Sequence, residues 1–505
     1  MKKLAHFIVK KPFSVSLLIV LQLAAIYAFV FVLSQAFEFI YYLHLVGSMI
    51  LVIYILNLSD NPSYKLTWII FILGIPLIGT ITYLMFGGRK VPKRLSLGIN
   101  ELQPEQDPLL IQKPELFNEI RRAIDRRSVE YILRNTGYPL YKDSKVSYYP
   151  TGESKFEALK ASIKRAEKFI FLEYFIIKEG KVWTSIFDLL KEKVKEGVEV
   201  RFMFDDAGAG TLPHDFIDNV RATGIQVVIF NPIRPVLAIR MNNRDHRKIA
   251  VIDGKEGYIG GTNLADEYIN AITRFGHWKD VAIKIEGEAV YALTLMFLHF
   301  YDYTAKTKSD FKSYWVENPI YENEGFVQSY SDSPTDDEPV SENTHLNLIN
   351  TASHYIYIMT PYLVIGYEMV QALCTAAKSG LDVRIMVPHI PDKKYVFSVT
   401  RSNYEKLTKD GVRIYEYLPG FVHGKVMVAD DRIAIVGTSN LDFRSYYLHF
   451  ECGALLIDSP CIADIVKDYQ ETLEKCEEIT YEAAKNVPAI VKYYRAILNV
   501  FSGLL

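Results

Sequence analysis

The chain has 505 residues and a nearly balanced charge, −2 at neutral pH. That length exceeds one small domain, and the balance excludes recruitment of nucleic acid by a bulk positive field. Half of the residues are hydrophobic and 13% are aromatic, and this surplus is concentrated at the N-terminal end.

Three apolar runs open the chain: Ser14 to Leu33, Phe39 to Leu58 and Leu66 to Phe86. Each has the ~20 residues that an apolar helix needs to cross a bilayer. A cleaved signal peptide would account for the first run alone, and no small-residue cleavage site follows it. Residues 1–90 are therefore expected to be membrane-anchoring helices, with the lipid bilayer as a partner. Lys2, Lys3, Lys10 and Lys11 precede the runs, and Arg89, Lys90, Lys93 and Arg94 follow them. Both clusters favour the cytoplasmic side. Two spans plus one re-entrant or interfacial segment would satisfy both, and Gly74, Pro76 and Gly79 could bend or break the third run.

Residues 91–134 are polar and proline-containing, and read as a linker with a helix near Leu116–Ile132. Soluble α/β texture follows. Helical spacing covers Phe156 to Lys168 and Trp183 to Lys195, and "KFIFLEYFII" and "VEVRFMFDD" read as buried strands. Alternating strands and helices predict a largely parallel sheet covered on both faces. The pattern recurs: "EGVEVRFMF" matches "SGLDVRIMV", and "TGIQVVIFNP" matches "DGVRIYEYLP". Two homologous halves are expected, 135–325 and 345–480, with an acidic inter-half loop at 326–344 and a C-terminal helix at 481–505. The loop sequence "SDSPTDDEPVSEN" suits a solvated linker or the rim of a site. The four cysteines, Cys374, Cys452, Cys461 and Cys476, form no CxxC pair and no Cys/His zinc spacing, so they read as buried reduced thiols.

The strongest signal is a repeated constellation. "RDHRKIAVIDGKEGYIGGTN" and "FVHGKVMVADDRIAIVGTSN" both contain H-x-K, four residues, D, and then Asn at the same distance. The residues are His246, Lys248, Asp253 and Asn263 in one copy, and His423, Lys425, Asp430 and Asn440 in the other. Each copy reads as two strands joined by a tight hairpin at Asp253-Gly254 or Asp430-Asp431. A two-residue turn would set His246 opposite Gly261 and His423 opposite Thr438. Imidazole, ammonium and carboxamide would then share one face.

That trio suits a phosphate diester. Lys and Asn can hold non-bridging oxygens as phosphorus becomes five-coordinate. His can attack or donate a proton. Displacing an alkoxide needs both roles on opposite sides of phosphorus, and two facing halves would supply them without a metal or other cofactor. Asp253 and Asp430 complete the motif, and turn chemistry makes them chiefly structural supports. Asp280 and Glu451, each near the start of a strand downstream of its His, are candidates to accept from the second imidazole nitrogen and fix its tautomer.

On these residues the chain resembles the phospholipase D superfamily, whose hallmark is the doubled H-x-K-x4-D motif. Within it the closer resemblance is to the bacterial cardiolipin synthases. It rests on "NNRDHRKIAVIDGKEGYIGGTNLADEY", "HGKVMVADDRIAIVGTSNLDFRSYYLHFE", "YLMFGG" and the "SDSPTDDE" loop. The resemblance implies an α/β fold of two phospholipase D-type halves with mostly parallel or mixed sheets, plus an N-terminal helical membrane region. It also implies multi-pass residence in a bacterial cell membrane with the catalytic domain facing the cytoplasm. The implied reaction moves a phosphatidyl group between two phosphatidylglycerol molecules, giving cardiolipin and glycerol. His246 would carry the phosphatidyl group covalently and His423 would act as acid and base. Lys248, Lys425, Asn263 and Asn440 would bind phosphate. Water as acceptor would make the protein a phospholipase D, and another alcohol a different phosphatidyltransferase. No nucleic-acid partner is expected, since no basic domain or phosphate-tracking groove is evident. The apolar tail Val487–Leu505 is expected to pack against the domain, with the membrane interface as the alternative.

Overall fold

The computed structural model describes residues 38–87, 110–233 and 243–504, with scattered positions between 20 and 32. The first apolar run and both basic clusters therefore lie largely outside the described residues. The second run forms the helix Glu38–Leu56. The third run is not one helix. It divides into Pro62–Gly74 and Pro76–Phe86, because Ile75 precedes a proline and leaves the helical region at φ −139° and ψ 75°. The pair folds back on itself, and a Cβ on Gly79 would lie 2.5 Å from the Ile72 Cα. Among the described residues, no helix is long and apolar enough to cross a membrane.

The first half carries a seven-stranded sheet built from β1 (Lys145–Tyr149), β2 (Phe169–Ile176), β3 (Glu199–Gly208), β4 (Gln226–Phe230), β5 (Ile249–Ile252), β6 (Glu256–Gly260) and β7 (Ala282–Glu286). Its order is β1-β7-β6-β5-β2-β3-β4. The second half supplies β8 (Phe326–Asp332), β9 (Tyr355–Met359), β10 (Asp382–Pro388), β11 (Arg413–Tyr417), β12 (Val426–Ala429), β13 (Ile433–Gly437) and β14 (His449–Ile457). These follow the same permutation, β8-β14-β13-β12-β9-β10-β11. Within these two seven-strand paths, β2-β3-β4 and β9-β10-β11 run parallel and the remaining ladders are antiparallel. The sheets are thus mixed, not largely parallel. The motif hairpins β5-β6 and β12-β13 insert antiparallel strands beside each parallel trio, as a short turn must.

Strand alternation gives each sheet two apolar faces. Phe169 and Phe171 of β2 point into an inner core shared with Val426, Val428 and Phe450 of the second half. Ile170, Leu172 and Tyr174 point to an outer layer covered by the helices Gly152–Arg165 and Lys181–Lys195. The helix Val290–Ala305 lies in the inner core. Every residue from Val290 to Asp302 is buried, which explains why it is hydrophobic all round.

The expected boundaries need adjustment. Residues 326–344 are only briefly a loop: β8 occupies their start, and the helix Val340–Thr351 begins at their end. β8 is the second half's counterpart of β1. Ser341 and Ser439 share a hydroxyl hydrogen bond of 2.9 Å, which ties this segment to the second motif's tail. The linker region contains Glu115–Glu119 and the start of Ala123–Thr136, and Tyr141–Lys142 then pairs with β8. That N-terminal stretch therefore completes the second half's sheet. β15 (Cys476–Ile479) extends the same sheet beyond β11.

Candidate active site

Each motif hairpin is pinned by its aspartate. The Asp253 carboxylate accepts from the backbone N–H groups of Glu167, Lys168 and Phe169 at 2.8, 2.8 and 2.9 Å. The Asp430 carboxylate accepts from Ser353, His354 and Tyr355 at 2.8, 2.8 and 3.1 Å. These bonds fasten the hairpin turn to the start of the neighbouring parallel strand. Asp253 and Asp430 thus hold the frame, as their place in the turns predicts, and their carboxylates bond to backbone N–H groups and not to either motif imidazole, so they complete the motif as supports and not as reacting groups. The turns also hold three residues, not two. Ile252 pairs with Glu256 and Ala429 with Ile433. The register is one residue off the expected one, and the facing pairs His246–Gly261 and His423–Thr438 do not form. Asp253 and Gly254 both have positive φ, as do Asp430 and Asp431, a conformation that Asp and Gly tolerate best.

What brings the two motifs together is a pair of short crossings between the halves. Arg244–Asp245 runs parallel to His449–Phe450, and Gly420–Val422 runs parallel to His277–Lys279. Each motif His follows directly. The His246 N–H donates to the Phe450 carbonyl at 2.9 Å, and the His423 N–H donates to the Lys279 carbonyl at 2.7 Å. The two crossings are equivalent under the internal pseudo-twofold. Each sets an imidazole beside the carboxylate one residue further along the other half's strand. His246 Nδ1 lies 2.9 and 3.0 Å from the Glu451 oxygens, and His423 Nδ1 lies 2.6 Å from Asp280 Oδ2. Both carboxylates identified in the sequence are used, but each serves the imidazole of the opposite half. With Nδ1–H held by a carboxylate, Nε2 is left to react.

The symmetry is broken around these pairs. Gly261 occupies the position of Thr438, and a Cβ there would fall 2.0 Å from Asp280 Oδ1. The longer Glu451 leaves room for Thr438, whose hydroxyl donates to it at 2.5 Å. Trp278 packs at a tilt against His423, 5.1 Å between ring centroids, and the equivalent His449 lies 5.4 Å from His246. Phe175 and Tyr268 pack edge-on against His246 and His423. Sequence reasoning missed Thr438, Trp278 and His449. The signal was available: Trp278 and His449 each stand two residues before a carboxylate already singled out.

All four motif cations and imidazoles are buried. Burial, with Lys248 and His449 alongside, holds the His246 imidazole well below its ordinary range. Burial, with Lys425 adding to it, lowers His423 to about 4. Glu451 and Asp280 stay ionised despite burial, because the facing imidazoles and lysines outweigh it. Burial lowers Lys248 to about 8 and Lys425 to about 7. The Lys248 charge also depresses both His423 and Lys425 of the other half, so the two motifs share one electrostatic site. Both Lys Nζ groups fold back to donate to their own motif's His carbonyl. Asn263 accepts from the Ile176 N–H at 2.9 Å and donates to the Tyr268 hydroxyl at 2.7 Å. Asn440 donates to Asp442 at 3.2 Å, while its buried Oδ1 has no protein donor.

Beneath His246, Arg247 is buried against Glu173 at 2.6 Å and Asp245 at 3.1 Å, with Phe300 stacked on its guanidinium. The second motif has Gly424 in that place, so this support belongs to one half only. His246, His449 and Glu451 bring possible ligand atoms within 4.8 Å of one another. That spacing could hold a metal, but Lys248 beside it opposes a cation. The whole arrangement favours an anion.

Comparison with known proteins agrees with this geometry. A family model described as "Cardiolipin synthase, PLD-like domain" matches residues 159–289 and 345–476. A second, "Phospholipase_D-nuclease N-terminal", matches residues 46–88. A cardiolipin synthase of Geobacillus sp. (strain WCH70) is 34% identical over 464 residues, covering 91% of this chain and 92% of that protein. Cardiolipin synthase 2 of Bacillus anthracis is 35% identical over 428 residues, 83% of each chain. An uncharacterized protein of Streptococcus mutans is 42% identical over 463 residues, 90% of this chain and 99% of that one. The crystal structure of phosphatidylserine synthase from Haemophilus influenzae shares the fold, with a TM-score of 0.59 at 15% identity, covering 75% of this chain and 99% of that chain. With two matched halves that fold alike and exchange carboxylates between their motif histidines, the chain belongs to the phospholipase D-like cardiolipin synthase family.

Proposed function

We infer that the protein is a phosphatidyltransferase that joins two phosphatidylglycerol molecules into cardiolipin and releases glycerol. The observation that carries this reading is the reciprocal exchange of carboxylates. Each motif His is oriented by the other half, so both Nε2 atoms belong to one site. His246 Nε2 attacks phosphorus; a P–N bond forms as the P–O bond to glycerol breaks, and His423 gives its proton to the departing oxygen. In the second step the hydroxyl of another phosphatidylglycerol attacks phosphorus. Its proton passes to His423, the P–N bond breaks, and cardiolipin leaves. Lys248 and Lys425 hold the non-bridging oxygens, with Asn263 and Asn440 beside them. The resting imidazoles are neutral. The incoming diester is an anion, and together with Asp280 it raises the proton affinity of His423, so that His423 enters the first step as imidazolium.

The N-terminal region fits the same reading. Its apolar helices would embed the enzyme where both substrates reside, and a bent-back third run would return both basic clusters to one side, with the catalytic halves facing the cytoplasm. The division at Ile75-Pro76 supports a hairpin that dips into the bilayer.

The test is an acid-quenched reaction on labelled phosphatidylglycerol in detergent micelles, followed by mass spectrometry. A phosphatidyl adduct should map to the His246 peptide and vanish in His246→Ala. Cardiolipin and free glycerol should be the products. An adduct on His423 would reverse the two roles. Phosphatidic acid as main product would replace transfer by hydrolysis.

A further inference from the structure

The C-terminal helix Ala489–Val500 is amphipathic in the wrong sense for a helix on a protein surface. Ile490, Tyr493, Tyr494 and Ile497 are 76%, 70%, 51% and 60% exposed. Their spacing of i, i+3, i+4 and i+7 puts them on one face. The basic residues turn inward. Lys492 pairs with Glu405 at 2.9 Å, and Arg495 is half-buried. Leu498, also inward, packs against the cluster formed by Val364, Val396, Val399 and Phe443. The helix is therefore held to the domain by its polar side and one leucine, with its large apolar side chains left outside.

We propose that this face is an interfacial helix that lies in the surface of the lipid bilayer. Three observations select a bilayer as the occupant. First, the end of the helix joins the N-terminal apolar helices: the Thr67 hydroxyl donates to the Val500 carbonyl, and a Cβ on Gly503 would lie 2.9 Å from the Tyr64 Cα. Leu66, Ile70 and Leu73, on the helix that carries Thr67, are 55%, 44% and 51% exposed, so one apolar surface runs on into the other. Second, residues 483–505 contain no acidic residue that would repel anionic lipid headgroups. Two adjacent tyrosines suit a headgroup boundary. Third, the attachment lies beside the site. Phe443, a member of the cluster that Leu498 packs against, starts the helix Phe443–Tyr447 just past Asn440, and Asn61 of the N-terminal region donates to the Tyr447 hydroxyl at 3.1 Å. The helix would thus hold the second motif against the surface from which the lipid enters. The inference rests on the lipid-transfer reading only in taking the surface to be a bilayer.

The test uses the full chain in phosphatidylglycerol–phosphatidylethanolamine vesicles, with an environment-sensitive fluorophore at Ile490→Cys, at Ile497→Cys and, as control, at Glu477→Cys on the exposed sheet edge. Spin-labelled lipids should quench the two helix probes strongly and the control weakly, with aqueous quenchers giving the reverse order. Replacing Ile490, Tyr493, Tyr494 and Ile497 together by Gln should raise the surface-concentration KM for vesicle substrate by about tenfold or more. Turnover of a short-chain, monomeric phosphatidylglycerol should not change. Equal quenching at helix and control would overturn the proposal, whether water, a second copy or another protein covers the helix. Loss of short-chain turnover in the wild type would instead remove the lipid-transfer reading and leave the quenching result standing.

Discussion

Replacing Asp280 by Asn tests the exchange of carboxylates most directly. The side chain keeps its shape, its contact with the Val281 N–H and its place under Trp278, but loses the charge that faces His423 Nδ1 at 2.6 Å. A hydrogen bond to a charged group contributes about 1.5–3 kcal/mol. Should that contribution be realised only when His423 is imidazolium, the step requiring it slows by roughly 10- to 150-fold. The slowed step should be departure of glycerol. A phosphatidyl ester with a p-nitrophenol leaving group needs no proton, so its pre-steady-state burst in Asp280→Asn should match the wild type. Glu451→Gln, which acts on the attacking His246, should lose the burst as well. The assay pairs burst amplitude and rate on the activated ester with steady-state cardiolipin formation on phosphatidylglycerol. The reasoning fails if Asp280→Asn keeps cardiolipin synthesis within about threefold of the wild type. A burst that collapses in Asp280→Asn and survives in Glu451→Gln would exchange the roles of the two histidines.

Further expectations follow from the same geometry. Asp253→Ala leaves three backbone N–H groups without their acceptor; unfolding titrations should show a loss of about 3–5 kcal/mol, while activity per folded molecule stays within a few-fold. Gly261→Ala drives a methyl to within 2.0 Å of Asp280 Oδ1, so cardiolipin synthesis should fall at least about tenfold, with far-UV circular dichroism unchanged. Lys425 and Lys248 are lowered to about 7 and about 8 by burial, and a bound anion favours their charged forms. Tungstate affinity should therefore weaken as pH rises through that interval. Calorimetry in buffers of different ionisation enthalpy should register proton uptake on binding; no uptake would mean that both ammonium groups are already charged.

The sequence by itself determined the chemistry and the duplication. His246, Lys248, His423 and Lys425 were legible because paired motifs at fixed spacing leave little room for chance. Asp253 and Asp430 were legible as turn supports because Asp at a hairpin has a local hydrogen-bonding reason to be there. Asp280 and Glu451 were found as carboxylates near strand starts, but their partners were not. Periodicity reports which face a residue takes within its own strand, and says nothing about a strand that leaves its sheet to pair with the other half. Only the tertiary structure decided that Phe450 and Lys279 receive the opposite motif's backbone, and so which carboxylate serves which imidazole. Turn length was likewise misjudged by one residue, since a positive-φ pair followed by one more residue reads in sequence like a two-residue turn. The sheets came out mixed because hairpin strands and parallel strands carry the same apolar pattern when both faces are buried. The inverted face of the last helix was visible as apolar residues in the sequence, but its direction was fixed by Lys492, Leu498 and Val500 finding partners on the inner side.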